Sequence, residues 1–221
     1  MRNSLVTRPV AAVLDRLFAA AEEVDGPLLA EIAATYGPGF RPGTASERAE
    51  LFGSLYIPVA PETGRLLYSL IRSGRPQTVL EFGTSFGIAT IYLAAGVRDN
   101  GTGRVISTEL NAAKAGRARE HLAEAGLADV VDIVTGDALQ TLADLPGPAG
   151  LLLLDGWKEL YLDMLKVIEP KLAPGALVVA DDTESFAAVL GDYLAYVRDP
   201  ANGYVSFPFP VGDGVEVSCR T

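Results

Sequence analysis

Val79-Leu80-Glu81-Phe82-Gly83-Thr84-Ser85-Phe86-Gly87 is the stretch on which the fold turns. Thr78–Phe82 (TVLEF) is a short apolar run that reads as a buried strand. It ends on Gly83, and a run with helical spacing follows Gly87 through about Ala95. Gly83 and Gly87 let the chain turn tightly and approach a ligand with no Cβ in the way. Outward from here the same alternation repeats. Arg104–Thr108 (RVIST) is a second strand. Asn111 is suited to cap the next helix and Gly126 to stop it. Val130–Val134, Gly150–Leu154 and Ala176–Ala180 are the third, fourth and fifth strands. Near-continuous apolar strands separated by helices call for a parallel sheet covered on both faces. Tyr204–Phe209 and Val215–Cys219, joined by Pro210–Gly214, read as an antiparallel hairpin closing that sheet.

Ahead of the alternation, residues 9–36 and roughly 44–73 have apolar positions at helical spacing, with a loop over Gly37–Gly43. A single domain over 1–221 is expected, with a helical extension over 1–73 and an α/β core over 74–221. The composition narrows its partners. A net charge of −10 opposes a phosphate backbone, so nucleic acid is not an expected partner. No apolar run approaches the roughly 20 residues of a membrane span. The N-terminus, broken by Asp15, Arg16, Glu22 and Glu23, reads as an amphipathic helix and not as a secretion signal. One cysteine, Cys219, forms no internal disulfide, which makes a cytoplasmic location the expectation. A small-molecule substrate is expected. The apolar N-terminal helices allow either a homodimer face or a lid.

In an open α/β sheet, ligands sit beyond the carboxyl ends of the strands. The first such turn lacks GxGxxG, which disfavours a dinucleotide pyrophosphate. Glu81 adds a carboxylate that repels pyrophosphate but accepts hydrogen bonds from a cationic amino-acid ligand. S-adenosylmethionine (SAM) is such a ligand. Glu109, at the end of the second strand, suits the two ribose hydroxyls. Asp137 falls where an adenine edge would lie. Asp155 follows the fourth strand, and Asp181 and Asp182 close the fifth, all at the crevice end. Two carboxylates 4 Å apart repel by about 4 kcal/mol at an effective dielectric near 20. A hard divalent cation removes that cost, and an all-oxygen donor set favours magnesium or calcium. Lys158, beside such a cation, would have a lowered pKa suited to a general base. Each acid has a plainer reading as a helix cap or solvated charge. Trp157 reads equally as pocket wall or core. His121 shares helical spacing with Lys114, Arg117 and Glu124 and is expected in solvent.

The order ExGxxxG at Glu81–Gly87, Glu109, LDGWKELY at 154–161 and VVADDT at 178–183 resembles the cation-dependent SAM O-methyltransferases of the catechol O-methyltransferase type. The similarity covers about residues 56–221 and takes in the Tyr56–Gly64 segment, which looks like the family's cover over the cofactor. The resemblance implies a Rossmann-like class I SAM methyltransferase fold, a seven-stranded sheet with an antiparallel C-terminal pair. It implies that Glu81 and the Gly83–Gly87 turn, with Thr84 and Ser85, hold the methionine moiety of SAM. Val59 and Ala60 would roof it, Glu109 would hold the ribose, and Asp137 and Ala138 would border the adenine. Asp155 would touch the cofactor and join Asp181 and Asp182 around Mg2+, with Lys158 as the base. Three positions depart from the family. Asp182 stands where asparagine is usual, Gly156 replaces a larger residue and is expected to open the pocket, and Pro210 falls at a hydroxyl-clamping glutamate. The expected activity is metal-assisted methyl transfer to a hydroxyl of a small aromatic molecule. The alternatives are a metal-independent SAM methyltransferase of a polar or amine substrate, a nicotinamide oxidoreductase, and a SAM-binding protein without turnover.

Overall fold

The computed structural model describes residues 3–37, 43–143 and 147–221, so most of the expected loop, Pro38–Pro42, lies outside the described residues. Helix α1 (Arg8–Tyr36) turns Val10, Val13, Leu14, Leu17 and Ala21 inward, the stripe that a 3.6-residue period produces. Helix α2 (Ala45–Leu51) opens on a reciprocal cap, in which the Thr44 hydroxyl accepts from the Glu47 N–H while the Glu47 carboxylate accepts from the Thr44 N–H. Helix α3 (Pro61–Gly74) follows. The single helical segment expected over 44–73 is therefore two helices. Pro58 disfavours helical backbone before it, and Ile57 sits at φ +44, so residues 52–60 form a strap between them.

Seven strands make one sheet: β1 (Thr78–Phe82), β2 (Arg104–Glu109), β3 (Val131–Thr135), β4 (Ala149–Leu154), β5 (Leu172–Asp181), β6 (Tyr204–Phe209) and β7 (Val215–Arg220). Their order is β3-β2-β1-β4-β5-β7-β6. The first five are parallel, and β7 runs antiparallel to both β5 and β6. Between β1 and β2 lies α4 (Ile88–Asn100), and between β2 and β3 lies α5 (Ala112–Glu124), capped by the Asn111 side chain as expected. Helices α6 (Ala138–Thr141), α7 (Tyr161–Ile168) and α8 (Gly191–Arg198) complete the chain. β5 starts earlier than expected because Ala173-Pro174-Gly175, with its turn-like composition, continues the strand past a register shift against β4.

The period of two along each strand sorts side chains into two cores. Val79, Leu151, Leu153 and Val179 join α1, α3, α4 and α5 on one face. Leu80, Leu152, Leu154, Val178 and Ala180 join α7 and α8 on the other. Covered on both sides, these strands need no polar alternation, which is why they read as continuous apolar runs. Among the described residues no helix is long and apolar enough to cross a membrane. Glu216, on β7, is wholly buried and accepts two hydrogen bonds from Arg198 (2.9 and 2.7 Å) and one from Ser206 (2.6 Å). Removing the cation strands a buried carboxylate, so Arg198→Ala should cost about 3 kcal/mol in urea unfolding. A loss under about 0.5 kcal/mol, the level of an ordinary surface change, would contradict this account of the pair.

Candidate functional site

From β1 the chain builds outward through β2 to β3, and from β4 it builds the other way. The sheet thus changes direction between β1 and β4, and a crevice opens at their carboxyl ends. Gly83 turns the chain there at φ +104, and a Cβ on it would stand 2.6 Å from the Asp155 carbonyl oxygen. Only glycine allows β1 and β4 to end so close together. The Gly83 and Thr84 N–H groups donate to the Thr108 carbonyl (3.2 and 3.0 Å). Glu109 ties the same turn to β2, with one carboxylate oxygen accepting from Ser85 N (2.7 Å) and the other from Asn111 N (2.8 Å).

A cavity of about 400 Å³ lies over these tips. Gly83, Ser85 and Glu109 line it on the β1–β2 side, Asp137 and Ala138 beyond β3, and Asp155, Lys158 and Asp182 beyond β4 and β5. Asp137 is exposed there and caps α6 through Leu139 N (3.0 Å). Val59 and Thr84 instead border a small recess next door, shared with Tyr56, Ile57 and Ser85. Three expected residues sit behind the wall. Ala60 packs against Gly212 of the β6–β7 connection, Gly87 caps α4 against Ala118, and Glu81 has no exposed surface. Glu81 Oε2 accepts from Thr90 Oγ1 (2.6 Å), while Oε1 is buried without a well-formed hydrogen bond among the described residues. Burial pushes its carboxyl up to about 7, against the nearby Ser107 and Thr90 hydroxyls and helped by the charge of Glu109.

Asp155, Asp181 and Asp182 converge, with one carboxylate oxygen from each lying within 4.8 Å of the others. The sheet dictates this, because Leu154 pairs with Ala180 and the next residue on each strand is an aspartate. Asp182 adopts φ +65, a left-handed conformation that aspartate tolerates better than most residues and that turns its side chain back toward its neighbours. Burial, then the surrounding carboxylates, hold Asp155 well above the usual carboxylate range despite Lys158. The same two causes lift Asp181 to about 7.

Lys158 reaches into this cluster. Its Nζ stands 2.8 Å from Asp182 Oδ2, 2.8 Å from Tyr161 Oη and 3.7 Å from Asp155 Oδ1. Burial opposes its charge, yet Tyr161, Asp155 and Asp182 outweigh burial and hold the ammonium above the ordinary lysine range. The lowering expected beside a cation is thus reversed when the carboxylates face the ammonium alone. Trp157 is half-buried and lines the cavity, with Phe52 5.8 Å away and the Arg48 guanidinium 5.0 Å over its ring. Arg48 also pairs with Glu159, which fastens α2 to the segment carrying Lys158.

Two expectations fail on packing. His121 is 2% exposed and not in solvent. Ala115, Ala118 and Leu122 set the buried face of α5, and Lys114 and His121, seven residues apart, flank it inward. His121 Nδ1 donates to the Phe86 carbonyl (2.9 Å). Gly156 does not open the pocket, since a Cβ there would meet the Phe82 ring at 2.5 Å and that ring occupies the space. Residues unmarked by the sequence also line the cavity, among them Leu29, Ile32, Ala49 and Phe52 from the N-terminal helices.

Residues 80–183 match the methyltransferase domain family. Over 149 residues the chain is 35% identical to catechol O-methyltransferase of Mycobacterium tuberculosis, covering 67% of this chain and 66% of that protein. Over the matched stretch the chain is similar to the catechol O-methyltransferases. Catechol O-methyltransferase B of Danio rerio is 32% identical over 148 residues, 64% of this chain and 54% of its own length, so these matches span less than two thirds of either relative. Cofactor-bound Rv0187 from MTB has the same fold at a TM-score of 0.67 and 26% identity, over 97% of both chains. An O-methyltransferase from Bacillus cereus in complex with SAH, 20% identical and covering 99% of this chain and 94% of its own, shares the fold at 0.67. The seven-stranded sheet is thus the class I SAM methyltransferase fold.

Glu81 generates a pH dependence of stability. In the unfolded chain its pKa is near 4.5, and in the fold about 7. The folded state therefore holds more proton between those values. Its contribution to stability is full below about pH 4.5 and is lost as pH rises through 7, by on the order of 3 kcal/mol. Glu81→Gln should flatten that fall in urea unfolding at pH 5 and pH 8. An equal slope in both proteins would show that Glu81 does not titrate there.

Proposed function

We propose that this protein is a SAM-dependent O-methyltransferase that methylates a hydroxyl of a small, hydroxylated aromatic molecule with the help of a divalent cation. The observation that carries the reading is the convergence of Asp155, Asp181 and Asp182 beside Lys158 at one end of the cavity. Three carboxylates of this kind fit a hard cation, magnesium on the chemistry of the donors. Bound there, it supplies positive charge that offsets the aspartates, weakens their hold on the Lys158 proton and orients acceptor oxygens.

The chain does the rest. Glu109 accepts the ribose hydroxyls, the Gly83–Gly87 turn and Val59 take the amino-acid end, and Asp137 with Ala138 borders the adenine. Lys158, once its ammonium has given up a proton to solvent, receives the acceptor hydroxyl proton at Nζ, held in position by Tyr161 Oη and Asp182. Trp157, Phe52 and the apolar residues of α1 and α2 keep water from the reacting oxygen. The sulfonium methyl then passes in line to that oxygen. Pro210 does not line the cavity, so a second acceptor hydroxyl is not gripped from the hairpin.

One observation favours a metal-independent variant acting on a polar or amine substrate: Lys158 already bridges Asp155 and Asp182, compensating part of their charge. Turnover of catechol and SAM with and without exhaustive chelation separates the two. Loss on chelation and recovery with Mg2+ is expected, and undiminished turnover after chelation would remove the metal. Lys158→Ala should lower turnover by roughly 10²–10⁴-fold with calorimetric SAM affinity nearly intact. Near-normal turnover would strip Lys158 of its role as base.

A further inference from the structure

The strap between α2 and α3 is pinned by a residue thirty positions upstream. Tyr56 N donates to Asp25 Oδ1 (2.7 Å) and Ile57 N to Asp25 Oδ2 (2.8 Å), so one carboxylate of α1 grips two successive backbone N–H groups. The Tyr56 carbonyl is gripped from the other side, accepting from Ser85 Oγ (2.8 Å), to which Lys114 Nζ donates at 3.3 Å. The Tyr56 ring stacks on Phe86 of the glycine turn, with centroids 4.2 Å apart. Between these anchors Ile57 sits at φ +44 and is 48% exposed. A β-branched residue in the left-handed region is strained and persists only where its surroundings hold it. The apolar side chain of Ile57 is half in water and gives the strap little purchase. The hydrogen bonds to Asp25 hold it from the α1 side, as Ser85 and Phe86 do from the turn.

The strap is placed where a cofactor would feel it. Ile57 and Ser85 border both the cavity and the small recess, and Val59 and Thr84 border the recess. We infer that Asp25 is a positioning residue for the cofactor, clamping Tyr56 and Ile57 against the Gly83–Gly87 turn so that the recess exists before the nucleoside arrives. This rests on the SAM reading proposed above. A preformed wall spares the ligand the cost of ordering it, so the clamp acts on affinity. Lys114 completes it by holding Ser85, and burial, opposed by Glu109 and Asp25, lowers the pKa of that lysine.

The test measures S-adenosylhomocysteine (SAH) affinity by calorimetry and amide hydrogen exchange over residues 55–59, in the wild type, Asp25→Ala and Asp25→Asn. Asp25→Ala should weaken SAH binding roughly 10- to 100-fold, about the worth of one charge-assisted hydrogen bond, since part of the loss of two falls on the ligand-free protein, and should speed exchange at Tyr56 and Ile57. Asp25→Asn keeps one acceptor oxygen and should recover part of both, an outcome that general loss of structure does not produce. Unchanged exchange in Asp25→Ala would overturn the clamp. Faster exchange with SAH affinity within twofold of wild type would overturn its role toward the cofactor. If the wild-type protein fails to bind SAH, the cofactor reading itself falls, a result visible before any variant is made.

Discussion

Negative charge crowded at two adjacent strand ends is the constraint around which this molecule is arranged. Asp155 and Asp181 follow paired residues on hydrogen-bonded parallel strands, so the ladder of the sheet sets their separation. Asp182 joins them through a left-handed backbone. Such a cluster is unstable without a positive counterpart, and the fold brings Lys158 back from the segment after β4 to meet it. The tyrosine at the head of α7 shares the work, since Tyr161 Oη contacts both Lys158 Nζ and, at 3.4 Å, the Asp181 carbonyl. Asp155 and Asp182 face the cavity, while Asp181 is buried behind them.

The two halves of the chain contribute differently. The α/β core carries the charged groups at strand tips, where the backbone is most rigid. The N-terminal helices supply cover: α2 is fastened to the lysine-bearing segment through Arg48, Glu159 and Trp157, and α1 grips the strap through Asp25. Both fastenings are polar contacts bridging sequence separations of more than thirty residues. They therefore depend on the core having formed and in turn complete its crevice.

What the sequence disclosed followed from how local each signal was. The strands were legible to within a residue or two because a sheet covered on both faces demands apolar runs, and β5 was misjudged only where Pro174-Gly175 continued a strand. The aspartates were legible because strand ends in a parallel sheet share one side, so Asp155 and Asp181 meet however far apart they lie in sequence. The strap was not, because helical spacing before and after it masked the break that Pro58 and Ile57 impose. His121 was misplaced because a polar side chain at helical spacing looks solvated until its neighbours, Ala115, Ala118 and Leu122, are seen to face the core. Asp25 carried no signal at all, since a carboxylate on an amphipathic helix is indistinguishable from a surface charge until its backbone partners are known.

The cavity wall has a consequence of its own. Leu29, Ile32, Ala49 and Phe52 belong to the N-terminal segments, which hold none of the strand-tip acids, yet they shape the cavity above those acids. Much of the apolar wall and all three converging aspartates thus lie on separate segments of the polypeptide. Exchanging a methyl or a ring among those four residues resizes the chamber while every carboxylate keeps its place. The size and shape of that chamber can therefore change by single substitution without moving an acid.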